Sequence, residues 1–290
     1  MKIKDMPKVT GIGEILWDVL PEGKQLGGAP ANFAYHVSRA DMDAAVVSAV
    51  GRDALGDEAL SLLAAKGLEP AYVSRTDYPT GQVHVALDAN GVPQYEICQD
   101  VAWDNIPFSA ELSRLAAGSD AVCFGTLAQR SDVSKNTILR FLDATPEHCL
   151  KILDVNLRQQ FYSAEVIRES LKRADVLKLN EEELPIVANL TGTELGGEEQ
   201  TCRALIAAFS LSTLILTCGD KYSVALNCDG QISRMDTPRV KVADTVGAGD
   251  SFTAAFTAAM LSGSSLQDAH AQAVRTSAYV CTCRGAMPEY

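Results

Sequence analysis

Short apolar runs alternate along most of the chain with segments in which apolar residues recur at helical spacing. The runs predict buried β-strands, because a strand that is covered on both faces carries no polar face. They lie at 9–15, 44–50, 120–125, 150–156, 175–180 and 212–218. Helical spacing at 54–67 and 136–145 predicts connecting helices. This alternation predicts an α/β fold with a mostly parallel central sheet and helices on both faces.

One region has a different period. Between residues 80 and 98, apolar and polar residues alternate on both sides of Asn90-Gly91. This dipeptide favours a tight hairpin turn because both residues accept positive φ. The pattern predicts a small separate sheet, formed by about 16–27 and 77–105, which we interpret as a lid over a cleft. The alternative is an edge hairpin without a functional role.

Composition and charge limit the functional classes. A chain of 290 residues with 47% hydrophobic residues and no obvious linker is expected to form a single domain over 1–290. The net charge of −12, without any Lys/Arg-rich run, argues against nucleic acid and anionic membranes as partners. No secretory leader or spanning apolar run is visible, and the 8 cysteines lie mostly in apolar runs. We therefore expect a cytoplasmic protein with reduced thiols.

The stretch DTVGAGDSFTAAF (244–256) carries the candidate chemistry. Gly247 and Gly249 permit backbone angles that other residues avoid, and they let a ligand approach the main chain. Small and apolar residues at helical spacing over 251–261 predict a helix directly afterwards. The glycines then lie at a helix N-terminus, where free N–H groups and the helix dipole bind anions without any basic side chain.

Asp250 has two interpretations that spacing alone does not separate. Its side chain could cap the predicted helix. Alternatively, if the neighbouring N–H groups hold a phosphoryl group, its carboxylate could accept the proton of an attacking hydroxyl as general base. Other phosphate motifs are not favoured, since the chain has no P-loop and Leu16 replaces the third glycine of a dinucleotide fingerprint.

Two separated motifs make the chain resemble the PfkB family of carbohydrate kinases, also called the ribokinase family. The stretch 244–256 resembles the C-terminal signature of that family, and QLGGAPANFAYHVSRA (25–40) resembles its N-terminal signature. With the strand–helix alternation, the likeness covers essentially the whole chain. It implies a ribokinase-like three-layer α/β/α fold with a small β-sheet lid. It also implies an ATP-dependent kinase that uses Mg²⁺.

The resemblance implies roles for single residues at the reacting centre and the sugar. Asp250 becomes the general base, and the backbone N–H groups of Gly247, Ala248 and Gly249 become the anion hole. The residues that match sugar-contacting positions of the family are Asp18, Gly28 and Asn32. Read without the family, Asp18 could be a surface residue of the lid and Asn32 a helix cap near Pro30.

Further positions resemble the nucleotide and metal sites of the family. Asn180 and Glu183 of KLNEEE match an Asn-x-x-Glu element that is implied to organise Mg²⁺ through water. Their other interpretation is a solvated, acidic first turn of a helix. Thr217 and Gly219 resemble a nucleotide-binding turn, although Ser223 stands near the place where the family usually has a second glycine. Asn180, Gly247 and Gly249 are also expected to contact the nucleotide.

A monovalent-cation site is a further implication. Asp244 and Val246 fall where some members of the family bind K⁺, and TCRGA (282–286) resembles the other half of that loop. Arg158 of DVNLR could meet a phosphate or a substrate carboxylate, because its planar fork suits oxyanions. It could equally be a solvated side chain at a strand end.

The segments GGAPAN, AWDN (102–105) and DVNLR (154–158) resemble fructokinases and 2-keto-3-deoxygluconate kinases. Residues 80–105 contain no Lys or Arg, which favours a neutral acceptor such as fructose. We keep 2-keto-3-deoxygluconate kinase, another sugar or nucleoside kinase, and a catalytically silent sensor of sugar or nucleotide as alternatives. Val83, Val85 and Leu87 alternate with polar neighbours and predict an outer apolar face of the lid, through which a homodimer could form.

Overall fold

The computed structural model describes residues 6–20, 23–87 and 93–290, with the side chains of 85–87 and 93–95 excepted. These residues form thirteen strands and nine α-helices. The strands are β1 (Lys8–Ile12), β2 (Leu16–Leu20), β3 (Gly23–Gly27), β4 (Asp43–Gly51), β5 (Val73–Thr76), β6 (Gly81–Leu87), β7 (Pro93–Ile97), β8 (Ala121–Phe124), β9 (Leu150–Asp154), β10 (Val176–Asn180), β11 (Thr213–Cys218), β12 (Tyr222–Asn227) and β13 (Ile232–Asp236). The helices are α1 (Ala29–Ser38), α2 (Ala54–Ala65), α3 (Ala110–Ala117), α4 (Asp132–Asp143), α5 (Ala164–Leu171), α6 (Glu183–Thr191), α7 (Glu198–Phe209), α8 (Ala248–Leu261) and α9 (Leu266–Val280).

Nine strands form the main sheet in the order β13-β12-β11-β10-β9-β8-β1-β4-β5. All neighbours from β11 to β5 are parallel, and β12 and β13 continue the sheet antiparallel at one edge. The carboxyl ends of the parallel strands therefore meet at one edge of the sheet, where open α/β sheets bind their ligands. The predicted runs agree with β1, β4, β8, β9, β10 and β11, and the fold class is confirmed.

Helices cover both faces of the main sheet because its strands present apolar side chains on both sides. One core cluster joins the sheet to α3–α7, with Phe141 and Leu205 among its members. The other face packs against α1, α8 and α9 through residues such as Phe33 and Phe256. This second layer matters for the site, since α1 and α8 both begin at the carboxyl edge of the sheet.

The structure contains a small separate sheet, as the alternating pattern predicted, and its strand order is β3-β2-β6-β7. Strands β2 and β6 are parallel, whereas the two outer pairs are antiparallel. The predicted turn at Asn90-Gly91 lies outside the described residues. The prediction that Val83 lies on the outer face is wrong, because its side chain is buried in the large core cluster of the main sheet. The side chains of Val85 and Leu87 are not among those described, so the outer face stays a prediction.

Helix α8 begins earlier than the predicted 251–261, because it starts at Ala248. All eight cysteines are free thiols. No helix formed by the described residues is long and apolar enough to cross a bilayer.

Candidate active site

The start of α8 is the centre of the site. Gly247 is the N-cap residue, with φ at 78°, a conformation that favours glycine. The N–H of Ala248 contacts the Thr245 carbonyl oxygen at 3.3 Å, and the N–H of Ser251 bonds to the Gly247 carbonyl. The N–H groups of Gly249 and Asp250 have no acceptor among the described residues. The first turn of α8 thus presents free donors and the positive end of the helix dipole to one edge of the sheet.

Asp250 does not cap α8, so that interpretation is wrong. Gly247 occupies the N-cap position, and no side chain caps this helix. The Asp250 carboxylate instead accepts a hydrogen bond of 2.7 Å from the Asn32 amide of α1, 218 residues earlier in the chain. This contact fixes the carboxylate beside the free N–H groups, where a base for an attacking hydroxyl would have to stand.

The surroundings of Asp250 favour its protonated form. Burial raises the pKa of Asp250 to about 6, and the negative charge of Asp154 adds to the rise. The hydrogen bond from Asn32 and the positive charges of Lys178 and Arg158 oppose it. A carboxylate with a pKa near 6 is a better proton acceptor than an ordinary aspartate and is still ionised at neutral pH.

Asp250 and Thr253 line a crevice at the start of α8. Two acidic residues that the sequence interpretation missed, Glu14 and Asp154, line the same crevice. Glu14, just after β1, is only 3% exposed, and burial raises the pKa of its carboxyl to about 7. Asp154, at the end of β9, forms a buried ion pair with Lys178 of β10, with Nζ and Oδ1 3.1 Å apart. Each of the two acids lies within a predicted apolar strand run, 9–15 or 150–156. An acidic residue in such a run was the sequence feature that could have indicated a buried functional carboxyl group.

Two of the predicted sugar residues adjoin residues that line this crevice, because Asn32 bonds to Asp250 and Gly28 lies against Glu14. Asn32 is not a helix cap, because α1 begins after Gly28, which is its N-cap with φ at 115°. The Asn32 side chain is 4% exposed, and its Oδ1 has no donor among the described residues. A Cβ on Gly28 would lie 2.3 Å from the Glu14 carbonyl oxygen, so only glycine fits there.

Asp18 lies on β2 of the small sheet and is half-buried. Burial raises its pKa to about 6, whereas the charge of Arg158 lowers it and that of Asp244 raises it. Arg158 follows β9, is exposed, and also lowers the pKa of Glu14 and Asp250. The positive charge of the arginine therefore acts on the carboxylates of Asp18, Glu14 and Asp250.

Asn180 and Glu183 form a capping arrangement around the start of α6. The Asn180 Oδ1 accepts hydrogen bonds from the N–H groups of Glu182 and Glu183, both at 2.9 Å. The buried Glu183 carboxylate accepts from the Leu157 N–H at 2.7 Å and from the Asn180 N–H at 2.8 Å. No group of three or more metal-binding side chains occurs among the described residues. Carboxylate and amide oxygens are the kind of ligand that Mg²⁺ prefers, so Asn180 and Glu183 are the residues here that could hold the ion through its bound water.

Thr217 and Gly219 stand at the end of β11, beside the previous pair. Thr217 is the register partner of Asn180 on β10, and Gly219 has φ at 53°. The neighbouring Ser223 lies on β12 and does not belong to this turn, because its buried hydroxyl is 2.7 Å from the His270 Nε2 of α9. The departure from the second glycine thus places a core residue there, not a phosphate contact.

Asp244 joins the two segments that the cation prediction named. Its carboxylate accepts from the Val246 N–H and from the Gly285 N–H, each at 3.0 Å. The Ala243 N–H bonds to the Cys281 carbonyl at 2.8 Å. The loop before α8 and the segment 282–286 are therefore adjacent, as predicted, and Ala286 packs against Gly247.

Comparison with known proteins agrees with this geometry. The sequence model of the pfkB family of carbohydrate kinases matches residues 21–289. The fructokinase of Klebsiella pneumoniae is 30% identical over 87% of this chain and 84% of its own length. The ATP-dependent 6-phosphofructokinase of Thermoanaerobacterium thermosaccharolyticum is 26% identical over 96% of this chain and 89% of its own.

A solved structure agrees over nearly the whole fold. An uncharacterized sugar kinase of Pyrococcus horikoshii, solved in complex with ATP, superposes with a TM-score of 0.81 at 26% identity. The superposition covers 97% of this chain and 94% of that one. The family match spans most of the chain and includes both the N-terminus of α1 and that of α8. The chain belongs to the pfkB family of carbohydrate kinases.

Proposed function

We propose that this carbohydrate kinase is an ATP-dependent fructokinase, which transfers the γ-phosphoryl group of ATP to the primary hydroxyl that yields fructose 6-phosphate. The observation that carries the chemistry is the Asp250 carboxylate, held by Asn32 at the start of α8 beside free N–H groups. Fructose as the acceptor is supported by relatives that are named fructokinase at 26–30% identity.

The proposed step follows from the roles of the two kinds of group. Asp250 takes the proton of the sugar hydroxyl while the hydroxyl oxygen bonds to the γ-phosphorus and the bond to the β-phosphate oxygen breaks. The N–H groups of Gly249 and Asp250, with the dipole of α8, stabilise the negative charge on the moving phosphoryl group. Gly247 and Gly249 let that group approach the main chain closely.

The sugar would lie between α1 and the small sheet. The unpaired Asn32 Oδ1 and the Asp18 carboxylate supply acceptors for its hydroxyl groups. Gly28 leaves room at the N-terminus of α1. Closure of the small sheet as a lid would exclude water, which otherwise competes with the sugar as acceptor.

The nucleotide would lie along the carboxyl ends of β10 and β11, near Asn180, Thr217 and Gly219. ATP as donor is supported by the ATP-bound structure of the Pyrococcus horikoshii relative. Asn180 and Glu183 would orient the water shell of Mg²⁺, an ion that neutralises phosphate charge during transfer. Potassium near Asp244 and Val246, the homodimer through the small sheet and a cytoplasmic location stay predictions.

The choice of acceptor rests on charge near the sugar. Residues 80–105 carry no Lys or Arg, and Lys24 of β3 is paired with Glu58 and lies over the Trp17 ring. A neutral sugar suits this part of the small sheet. Arg158, whose positive charge lowers the pKa of Asp18, favours 2-keto-3-deoxygluconate as the second candidate, because the carboxylate of that sugar would need such a cation.

A coupled ADP-release assay separates the candidates. Fructose, 2-keto-3-deoxygluconate, ribose, adenosine and fructose 6-phosphate would each be supplied with ATP and Mg²⁺. We expect the highest kcat/KM for fructose, and Arg158→Ala should change it less than it changes the value for the acid sugar. If 2-keto-3-deoxygluconate gave the highest kcat/KM, the second candidate would replace fructokinase. If no tested acceptor caused ADP release, the proposal would be contradicted.

The activity should depend on pH through Asp250. Only the ionised carboxylate accepts a proton, and its pKa is about 6, so activity is retained above that pH and lost below it. We expect kcat/KM for fructose to fall about tenfold per pH unit below about pH 6. The measurement is kcat/KM at saturating ATP from pH 4.5 to 8, with circular dichroism to confirm that the fold persists. A flat profile down to pH 5 would contradict the role of Asp250.

A further inference from the structure

Lys178 is a buried lysine in the middle of the main sheet. It lies on β10 directly opposite Asp154 in the register of β9 and β10, and the two side chains are 10% and 8% exposed. Burial disfavours the charged ammonium, but the carboxylates of Asp154, Glu183 and Asp250 outweigh burial and raise its pKa. Lys178 thus holds a buried positive charge next to Asp154, one of the residues that line the crevice.

The pair is tied to the first turn of α8 through its acidic member. The second carboxylate oxygen of Asp154 lies 3.0 Å from the Thr253 hydroxyl, one turn beyond Gly249. The same hydroxyl is 2.9 Å from the Gly249 carbonyl oxygen. Asp154 therefore holds α8 through the side chain of Thr253, which lines the crevice.

The basic member lies directly beneath the glycine of that turn. A Cβ built on Gly249 would be 3.0 Å from the Lys178 Nζ, so the ammonium is packed against the main chain that carries the free N–H groups. Asp250 is the next residue. The ion pair consequently contacts α8 on both sides of the proposed base, at Gly249 and at Thr253.

We propose that Lys178 and Asp154 act together as positioning residues for phosphoryl transfer, holding the first turn of α8 so that Asp250 and its neighbouring N–H groups keep their relative places. This inference rests on the proposed function, in which Asp250 is the general base. Neither residue needs to touch the sugar. The ammonium also supplies buried positive charge close to where negative charge gathers during transfer.

The two members act on Asp250 with opposite sign. The groups whose charges face Asp250 are Glu14 after β1, Asp154 of β9, Arg158 after β9 and Lys178 of β10. The positive charge of Lys178 lowers the pKa of Asp250, and the negative charge of Asp154 raises it. Substitution of Lys178 and substitution of Asp154 should therefore shift the pKa of Asp250 in opposite directions, whereas a general loss of stability would change both variants in the same direction.

The test compares Lys178→Met with Asp154→Asn on fructose. In both variants we expect kcat to fall at least about tenfold with KM within about threefold, because an imprecisely placed base slows transfer more than binding. Lys178→Met should move the acid limb of kcat/KM about one pH unit upward, and Asp154→Asn should move it downward. Limbs that do not move, or that move together, would overturn the inference.

Asp104→Asn is the matched control. It breaks another buried pair, Asp104 with Arg130, whose side chains are 7% and 6% exposed. The further hydrogen bonds of this pair go to the Cys98 carbonyl and the Val101 N–H, which belong to the segment after β7. We expect a lower melting temperature and an unchanged acid limb. If the limb moved in this variant as well, general loosening of the fold would explain the effect and the positioning role would be rejected.

Folding and function are separated by two further measurements. If either single variant fails to fold, the double variant Lys178→Met/Asp154→Asn takes its place, because it leaves no unpaired charge buried in the site. A lowered kcat with an unchanged KM in the double variant supports the inference. A kcat equal to that of the parent overturns it. If the parent protein phosphorylates no sugar, or Asp250→Asn stays active, the proposed function itself fails. A fully active parent with unaffected pair variants would overturn only the positioning role.

Discussion

Asp250→Asn is expected to lower kcat for fructose phosphorylation by about two to four powers of ten. Asparagine keeps the shape of the side chain and can still accept the hydrogen bond from Asn32, but it cannot take up the hydroxyl proton. The dissociation constants of fructose and ATP should stay within about threefold, because the lost interaction belongs to the transfer step. Steady-state kinetics and calorimetric titration of the same preparation measure both quantities.

Asp268→Asn is the control for that substitution. Asp268 is the third residue of α9, as Asp250 is the third residue of α8, but it is exposed and bonds to the Ser265 cap. We expect its kcat to match the parent value. Parent-like turnover by Asp250→Asn, or an equal loss in Asp268→Asn, would remove the argument for a general base at this helix.

Gly247→Ala is expected to lower kcat/KM for ATP by at least about a hundredfold, because a misplaced anion site loses both binding and transfer. The residue has φ at 78°, which costs an L-residue about 1 to 2 kcal/mol. Its Cβ would also lie 2.8 Å from the Ala286 backbone, which is held in place by the hydrogen bond from Gly285 to Asp244. The first turn of α8 must therefore shift.

Gly67→Ala isolates the strain from the collision. Gly67 follows α2 with φ at 83°, and a Cβ there meets nothing within 4 Å. We expect it to lose about 1 kcal/mol of unfolding free energy with unchanged kinetics. Denaturant unfolding and the kinase assay of both variants provide the comparison, and parent-like kinetics of Gly247→Ala would contradict the anion-site role of this loop.

Much of the fold could be predicted because its strands are buried on both faces. Runs such as 44–50 and 212–218 carry apolar residues continuously, and the structure places β4 and β11 there. The start of α8 was predicted three residues late, since Ala248, Gly249 and Asp250 contribute no apolar periodicity. The sequence offers both Gly247 and Gly249 for a positive φ, and only the structure shows that Gly247 adopts it.

The site could be predicted only where local motifs carry it. Asp250 and Asn32 lie in separate motifs, and their direct contact depends on the packing of α1 against α8. The pairing of Lys178 with Asp154 depends on β9 and β10 being neighbours in register, which no local pattern shows. Val83 was placed on the wrong side because alternation identifies two faces of a strand but not which of them meets the core.

A rapid-quench single turnover tests the central claim most directly. Parent protein and Asp250→Asn, each in excess over radiolabelled ATP, are mixed with saturating fructose at pH 7.5 and quenched over time. We predict that the parent converts the bound ATP to fructose phosphate while the variant, with ATP equally bound, forms almost none in the same interval. Fructose phosphate appearing at the same rate in both proteins would show that Asp250 does not accept the proton.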